Sequence, residues 1–104
     1  MQEFTVFDIE TDGLIENVTK IHCLSYARYV KGELVEEGTI SEDYAIVNFC
    51  KNNKTLVGHN IVRYDVPVLK KLLNINFDKH RLIDTLTLSW YLYPMKKKHG
   101  LEQW

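Results

Sequence analysis

"FDIETDG", residues 7–13, sets Asp8, Glu10 and Asp12 two positions apart, directly behind the apolar run Phe4-Thr5-Val6-Phe7. Alternate side chains of a strand share a face, so Asp8 and Glu10 point the same way with Cβ atoms roughly 7 Å apart. Two carboxylates held so close repel unless a cation or a shared proton relieves them. The stretch is therefore either a surface turn or a metal site, and it places Asp8 at or near the end of a first strand. Asp12-Gly13 carries turn chemistry, and Asp12 reads as a turn former.

Outward from that strand the pattern is regular. "KIHCLSYARYV" (20–30) is rich in β-branched and aromatic residues, and Lys31-Gly32 makes a tight reversal. Residues 33–40 carry the charges and polar groups of an edge strand. Ser41 ahead of Glu42 and Asp43 reads as an N-cap, with Ile46, Phe49 and Cys50 on one helical stripe behind it. Residues 54–58 form a short buried strand ending in "GHN". Pro67 suits the first turn of a helix whose apolar face is Val66, Leu69, Leu72 and Leu73. "RLID" (81–84) is a fifth strand, after which Thr85 caps a helix through Tyr93, stopped by Pro94; Asp84 reads as a structural or cap residue. The order β-β-β-α-β-α-β-α predicts an α/β fold: a mixed five-stranded sheet, three antiparallel strands then two parallel, flanked by helices.

Composition narrows the class. The chain has 104 residues, 45% of them apolar, and 13 basic against 14 acidic side chains leave a net charge of −1. That suits one domain over 1–104 and excludes a global electrostatic pull toward nucleic acid or anionic membrane. No apolar run approaches the roughly 20 residues that span a bilayer, and no signal peptide opens the chain. Cys23 and Cys50 form no metal or disulfide motif and fit a reducing cytoplasm.

Functional side chains of open α/β sheets gather at the carboxyl ends of the strands. Asp8 and Glu10 end strand 1, and Asp65 follows strand 4; if those strands are neighbours, the three acids converge. An all-oxygen carboxylate set suits Mg²⁺ or Mn²⁺. The chemistry it points to is phosphodiester hydrolysis with two ions about 4 Å apart.

"DIETDGL" (8–14), "GHNIVRYDVPVL" (58–69), "IDTLTLSWYLYP" (83–94) and "HGLEQW" (99–104) together resemble the 3′–5′ proofreading exonuclease domain of phage family A DNA polymerases. That domain belongs to the DEDD, DnaQ-like branch of the ribonuclease H-like fold. The resemblance runs from residue 4 to Trp104. It implies Asp8 bridging two metal ions, Glu10 holding the first and Asp65 the second. It further implies Thr11 and Leu14 against the terminal nucleotide, with Leu14 on its base. His59 and Asn60 would lie beside the cleft, and Tyr64 would position the segment that bears Asp65. His59 also fits a strand-end histidine making a structural hydrogen bond. The family's fourth metal-binding Asp, preceded by a water-positioning Tyr or His, has no counterpart after "HGLEQW", so the domain is expected to be incomplete at its C-terminus.

The implied function is metal-dependent 3′–5′ exonuclease action at DNA 3′ ends, serving polymerase proofreading in the cytoplasm of a bacterial or phage-infected cell. The implied partners are a single-stranded DNA 3′ end and a DNA polymerase chain, without a membrane; a face left open by missing helices would favour self-association. Two alternatives stay open. One is a non-catalytic module holding nucleic acid or protein; the other is one half of a split polymerase or exonuclease. Lys96–His99 is a charge run that suits a solvated loop or phosphate contacts. Trp90, Tyr91 and Tyr93 read as helix residues rather than a base-stacking platform.

Overall fold

Thr5, Phe7 and Ile9 are buried while Val6, Asp8 and Glu10 are exposed, the period-two signature of a strand with one covered face. This strand, β1 (Glu3–Thr11), lies at the centre of the sheet in a computed structural model that describes residues 2–86. β2 (Ile21–Val30) pairs antiparallel with one edge of β1, and β3 (Glu33–Ile40) pairs antiparallel with β2. On the other edge β4 (Thr55–Gly58) runs parallel to β1, and β5 (Arg81–Asp84) runs parallel to β4. The strand order β3-β2-β1-β4-β5 is the mixed sheet that the element order predicts, and it makes strands 1 and 4 neighbours.

The β2–β3 reversal works because Lys31 and Gly32 both take positive φ, 52° and 83°. Two left-handed residues give the turn a twist that matches its flanking strands. β3 is exposed along nearly its whole length, and Glu33, Glu36 and Glu37 guard that edge.

Two helices supply the core. α1 (Asp43–Asn52) buries Ile46, Phe49 and Cys50, the stripe its spacing predicts. α2 (Val66–Leu73) buries Val66, Val68 and Leu69, with Pro67 in its first turn. They meet Phe7, Ile9, Leu24 and Leu56 in one apolar cluster. Each fully buried Leu or Ile here contributes about 1.5–3 kcal/mol relative to exposure. The Phe49 ring ties α1 to β2, lying 5.1 Å from Tyr26 at a tilt of 47°.

Several local expectations need correction. β1 does not end near Asp8 but runs to Thr11, because its antiparallel ladder with β2 continues through Glu10–Cys23 and Thr11–Ile21. The parallel ladder with β4 covers only Thr5–Leu56 and Val6–Val57, so Asp8 and Glu10 do lie beyond that shorter pairing. Ser41 does not cap α1; Glu42 holds the cap position and no side chain accepts there. The helical path to α2 starts before Pro67, with a wide π-helical turn over Ile61–Asp65. The chain turns helical again at Thr85, and there Asp84 supplies the capping oxygen, accepting from the Leu86 amide at 2.9 Å. The rest of the predicted final helix, the Lys96–His99 run and the "HGLEQW" motif lie outside the described residues. Among the described residues, no helix is long and apolar enough to cross a membrane.

Candidate active site

Gly58 brings the site together. A Cβ at this position would lie 2.3 Å from Ile61 Cγ2 and 2.9 Å from the Phe7 carbonyl. Only a residue without a side chain lets the end of β4 lie so close to β1. The chain then reverses through Asn60 in the left-handed region, φ 60°. Asp84 holds that reversal: its carboxylate accepts from Asn60 N at 2.9 Å and from Val62 N at 3.0 Å. These backbone amide donors explain its burial and bear out the structural reading of this acid.

The π-turn that follows delivers Asp65 to β1. Its carboxylate is 3% exposed and accepts from the Ile9 amide at 3.2 Å, between Asp8 and Glu10 in the chain. Burial pushes the Asp65 carboxyl up to about 7, and the nearby Asp8 and Asp84 charges add to the rise. Asp8 is raised too, first by partial burial and then by Glu10. Glu10 faces Cys23, whose Sγ lies 3.9 Å from Oε2. The acids thus form a chain of neighbours, Asp65 sensing Asp8 and Asp8 sensing Glu10. Among the described residues no three such side chains already close on a single point.

The donor chemistry fits a divalent cation nonetheless. Two of the three carboxylates are raised, partly by neighbouring acids, and no basic group bonds to Asp8, Glu10 or Asp65 among the described residues. An all-oxygen set of this kind is stabilised by a hard cation.

The remaining predicted site residues divide into two groups. Thr11, Gly13 and Tyr64 form one knot. Tyr64 donates to the Gly13 carbonyl at 2.5 Å, Thr11 Oγ1 lies 3.0 Å from the same oxygen, and the Thr11 and Tyr64 hydroxyls bond each other. Leu14, the next residue, is 69% exposed. On the other side of Asp8, His59 Nδ1 lies 3.0 Å from Thr85 Oγ1. Asp8, His59 and Thr85 line a largely apolar hollow of about 380 Å³, floored by Val6, Ala27 and Val57. The Asn60 side-chain oxygen is buried with no hydrogen-bond partner among the described residues.

Asp12 takes no part with the other acids. It accepts from Thr19 N at 2.9 Å, from Lys20 N at 3.1 Å and from the Thr19 hydroxyl, and these bonds lower it to about 2. Sequence reading found a turn residue here but not its partners seven and eight positions on. It also passed over Asn17 and Lys71, which bond to the same loop. An Asn four residues after Gly13 was the available signal.

A family profile described as RNase_H superfamily matches residues 5–103. The chain is 38% identical over 103 residues to the DNA-directed DNA polymerase of Escherichia phage T7, covering 88% of this chain and 14% of that protein. It is 39% identical over 101 residues to the corresponding polymerase of Enterobacteria phage T3, with the same coverage of each. It therefore spans about one seventh of the length of these relatives. Among solved structures, Exonuclease X in complex with 5′ overhanging duplex DNA aligns with a TM-score of 0.70 and 15% identity, over 93% of this chain and 68% of that one. E. coli Exonuclease I in complex with a dA16 oligonucleotide aligns with a TM-score of 0.60 and 13% identity, over 91% and 31%. The fold shared with these structures is the ribonuclease H-like sheet described above.

Proposed function

This chain belongs to the RNase_H superfamily, and from that premise we propose that it is an exonuclease-like domain that removes nucleotides from DNA 3′ ends with divalent metal, in the service of a DNA polymerase. The observation that carries the reading is the seat of Asp65. A buried carboxylate is held against the Ile9 amide, between two further acids, where burial and the Asp8 charge both oppose its ionisation. Buried or crowded carboxylates of this kind mark functional sites.

Asp8, Glu10 and Asp65 would hold Mg²⁺ or Mn²⁺. When bound, such ions polarise a phosphate and render water nucleophilic near neutral pH. The protein's own residues do the rest. Asp65, which burial keeps protonated up to about pH 7, would exchange that proton for a bound cation, whose charge would balance the three carboxylates. Leu14 offers an apolar edge to a terminal base beside Thr11. His59 and Thr85 border the hollow next to Asp8, where the preceding nucleotide would lie. A fourth carboxylate and a water-positioning group would come from outside these residues, in a longer polypeptide or a partner chain.

The test is shortening of a 5′-labelled single strand by this chain and by a longer polypeptide containing it, with Mg²⁺, Mn²⁺ or EDTA. Metal-dependent loss of nucleotides from the 3′ end is expected, and Asp8→Ala should lower the rate at least a hundredfold. Shortening that survives EDTA or Asp8→Ala would overturn the assignment. Strand binding that is unchanged by Asp8→Ala, without any cleavage in either protein, would favour the non-catalytic module instead.

A further inference from the structure

The loop between β1 and β2 is built to hold one shape. Residues 14–17 close a turn on themselves: Asn17 N donates to the Leu14 carbonyl at 3.0 Å, and Leu14 N donates to Asn17 Oδ1 at 3.1 Å. Gly13 leaves room for that contact, since a Cβ there would lie 2.8 Å from the same Oδ1 and push the Asn17 amide aside. Asp12 fixes the returning strand through Thr19 and Lys20, and its own amide donates to the Lys20 carbonyl at 3.2 Å. Val18 is buried, anchoring the loop in the core, while Leu14 stands outward. Two ties then lead to the helical segment that carries Asp65. Tyr64 bonds the Gly13 carbonyl, and Lys71 Nζ in α2 donates to the Ile15 carbonyl at 3.0 Å.

A loop that served only to connect two strands would need none of these ties beyond the backbone pairing at its base. Here they fix the one large apolar side chain that the loop exposes, and they fix it relative to Asp65. We propose that Asn17 and Asp12 are positioning residues for DNA. They hold the backbone at Leu14 in one place relative to the segment that carries Asp65, so the terminal base registers its phosphate at the acids without first ordering the loop. Neither side chain touches substrate. Each acts through the backbone on either side of Leu14, and a preformed contact of this kind lowers the entropy lost on binding. The inference rests on the exonuclease reading, and its test separates the two.

The experiment compares the wild type, Asn17→Ala, Asn17→Asp, Asp12→Ala and Asp8→Ala in the polypeptide that shortens strands. KM and kcat are measured with Mg²⁺, and binding of a labelled single strand is measured with Ca²⁺ in its place. Asn17→Ala and Asp12→Ala should raise KM and the apparent Kd about three- to tenfold, with kcat within about twofold of wild type. Asn17→Asp keeps the acceptor for Leu14 N and should restore both. A merely structural role would lower the folded, active fraction, and thus kcat, while leaving KM alone; that pattern overturns the proposal, as does failure of Asn17→Asp to rescue. If the wild type neither binds nor shortens the strand, the exonuclease reading falls and takes this inference with it. If the wild type acts and Asn17→Ala acts equally well, only this inference falls.

Discussion

Asp65 is the residue on which the site's pH behaviour turns. Its ordinary value is 3.8, and burial moves it to about 7 in the folded chain. Between those values the native state holds a proton that the unfolded state has lost, so metal-free stability falls as pH rises from about 4 to about 7. Asp65→Asn removes the linkage while keeping an oxygen for the Ile9 amide. In EDTA, urea unfolding should show this variant more stable than wild type by on the order of 2–4 kcal/mol at pH 8, with the two converging near pH 4. An equal difference at both pH values would disprove the linkage. Asp8, Glu10 and Asp65 stand out as candidates in the sequence because acids at that spacing, in two motifs, are hard to explain as packing, and the fold sets Asp65 against the Ile9 amide between the other two. The partners of Asp12 were not legible, because a side chain that accepts from a backbone seven residues on leaves no periodic trace.

At the scale of elements, the strands and both helices were readable from apolar spacing, and their ends were less so. Acids at 8 and 10 look like the end of a strand, yet pairing with β2 carries β1 on to Thr11. What ends ahead of those acids is the parallel ladder with β4, whose last pair is Val6–Val57, a tertiary matter. The π-turn over Ile61–Asp65 was invisible for a similar reason. Its residues do not distinguish a wide turn from an α-turn, and the carboxylate that takes the Asn60 and Val62 amides, Asp84, comes from another strand. Gly58 is the point where this geometry is most exposed to substitution. Gly58→Ala would force a methyl into Ile61 and the Phe7 carbonyl, and should cost about 1–3 kcal/mol. Thermal unfolding would show it as a Tm lower by roughly 4–8 °C per kcal/mol. A Tm within about 2 °C of wild type would mean the β4–π-turn junction relaxes freely.

In the whole molecule, the sheet divides its labour between faces. The face of Phe7, Ile9 and Leu24 takes both helices and the core, and the face of Val6, Asp8 and Glu10 carries two of the acids proposed to hold metal. β1 is bonded on both edges, whereas β3 has one neighbour and little burial. Hydrogen exchange should follow that division. The Phe7 and Ile9 amides should exchange only with global unfolding, and the outward-facing β3 amides orders of magnitude faster. Equal protection of the two strands would contradict the topology. The fold class was legible at this scale because α/β order and strand count constrain topology strongly.

The separation of faces also bears on how such a protein changes over generations. Asp8 and Glu10 support no packing, Asp65 is a buried acid, and Asp8 raises the proton affinity of Asp65 as Glu10 raises that of Asp8. Replacing Asp8 or Glu10, or Asp65 by a residue that keeps an oxygen for the Ile9 amide, would leave the core intact and relieve repulsion, so drift under selection for folding alone runs toward their loss. An inert descendant would be as durable in the cell as its parent, or more so, rather than cleared by proteolysis. Three acids in this arrangement are a standing burden on the native state, and a lineage keeps them only while something besides foldedness is under selection.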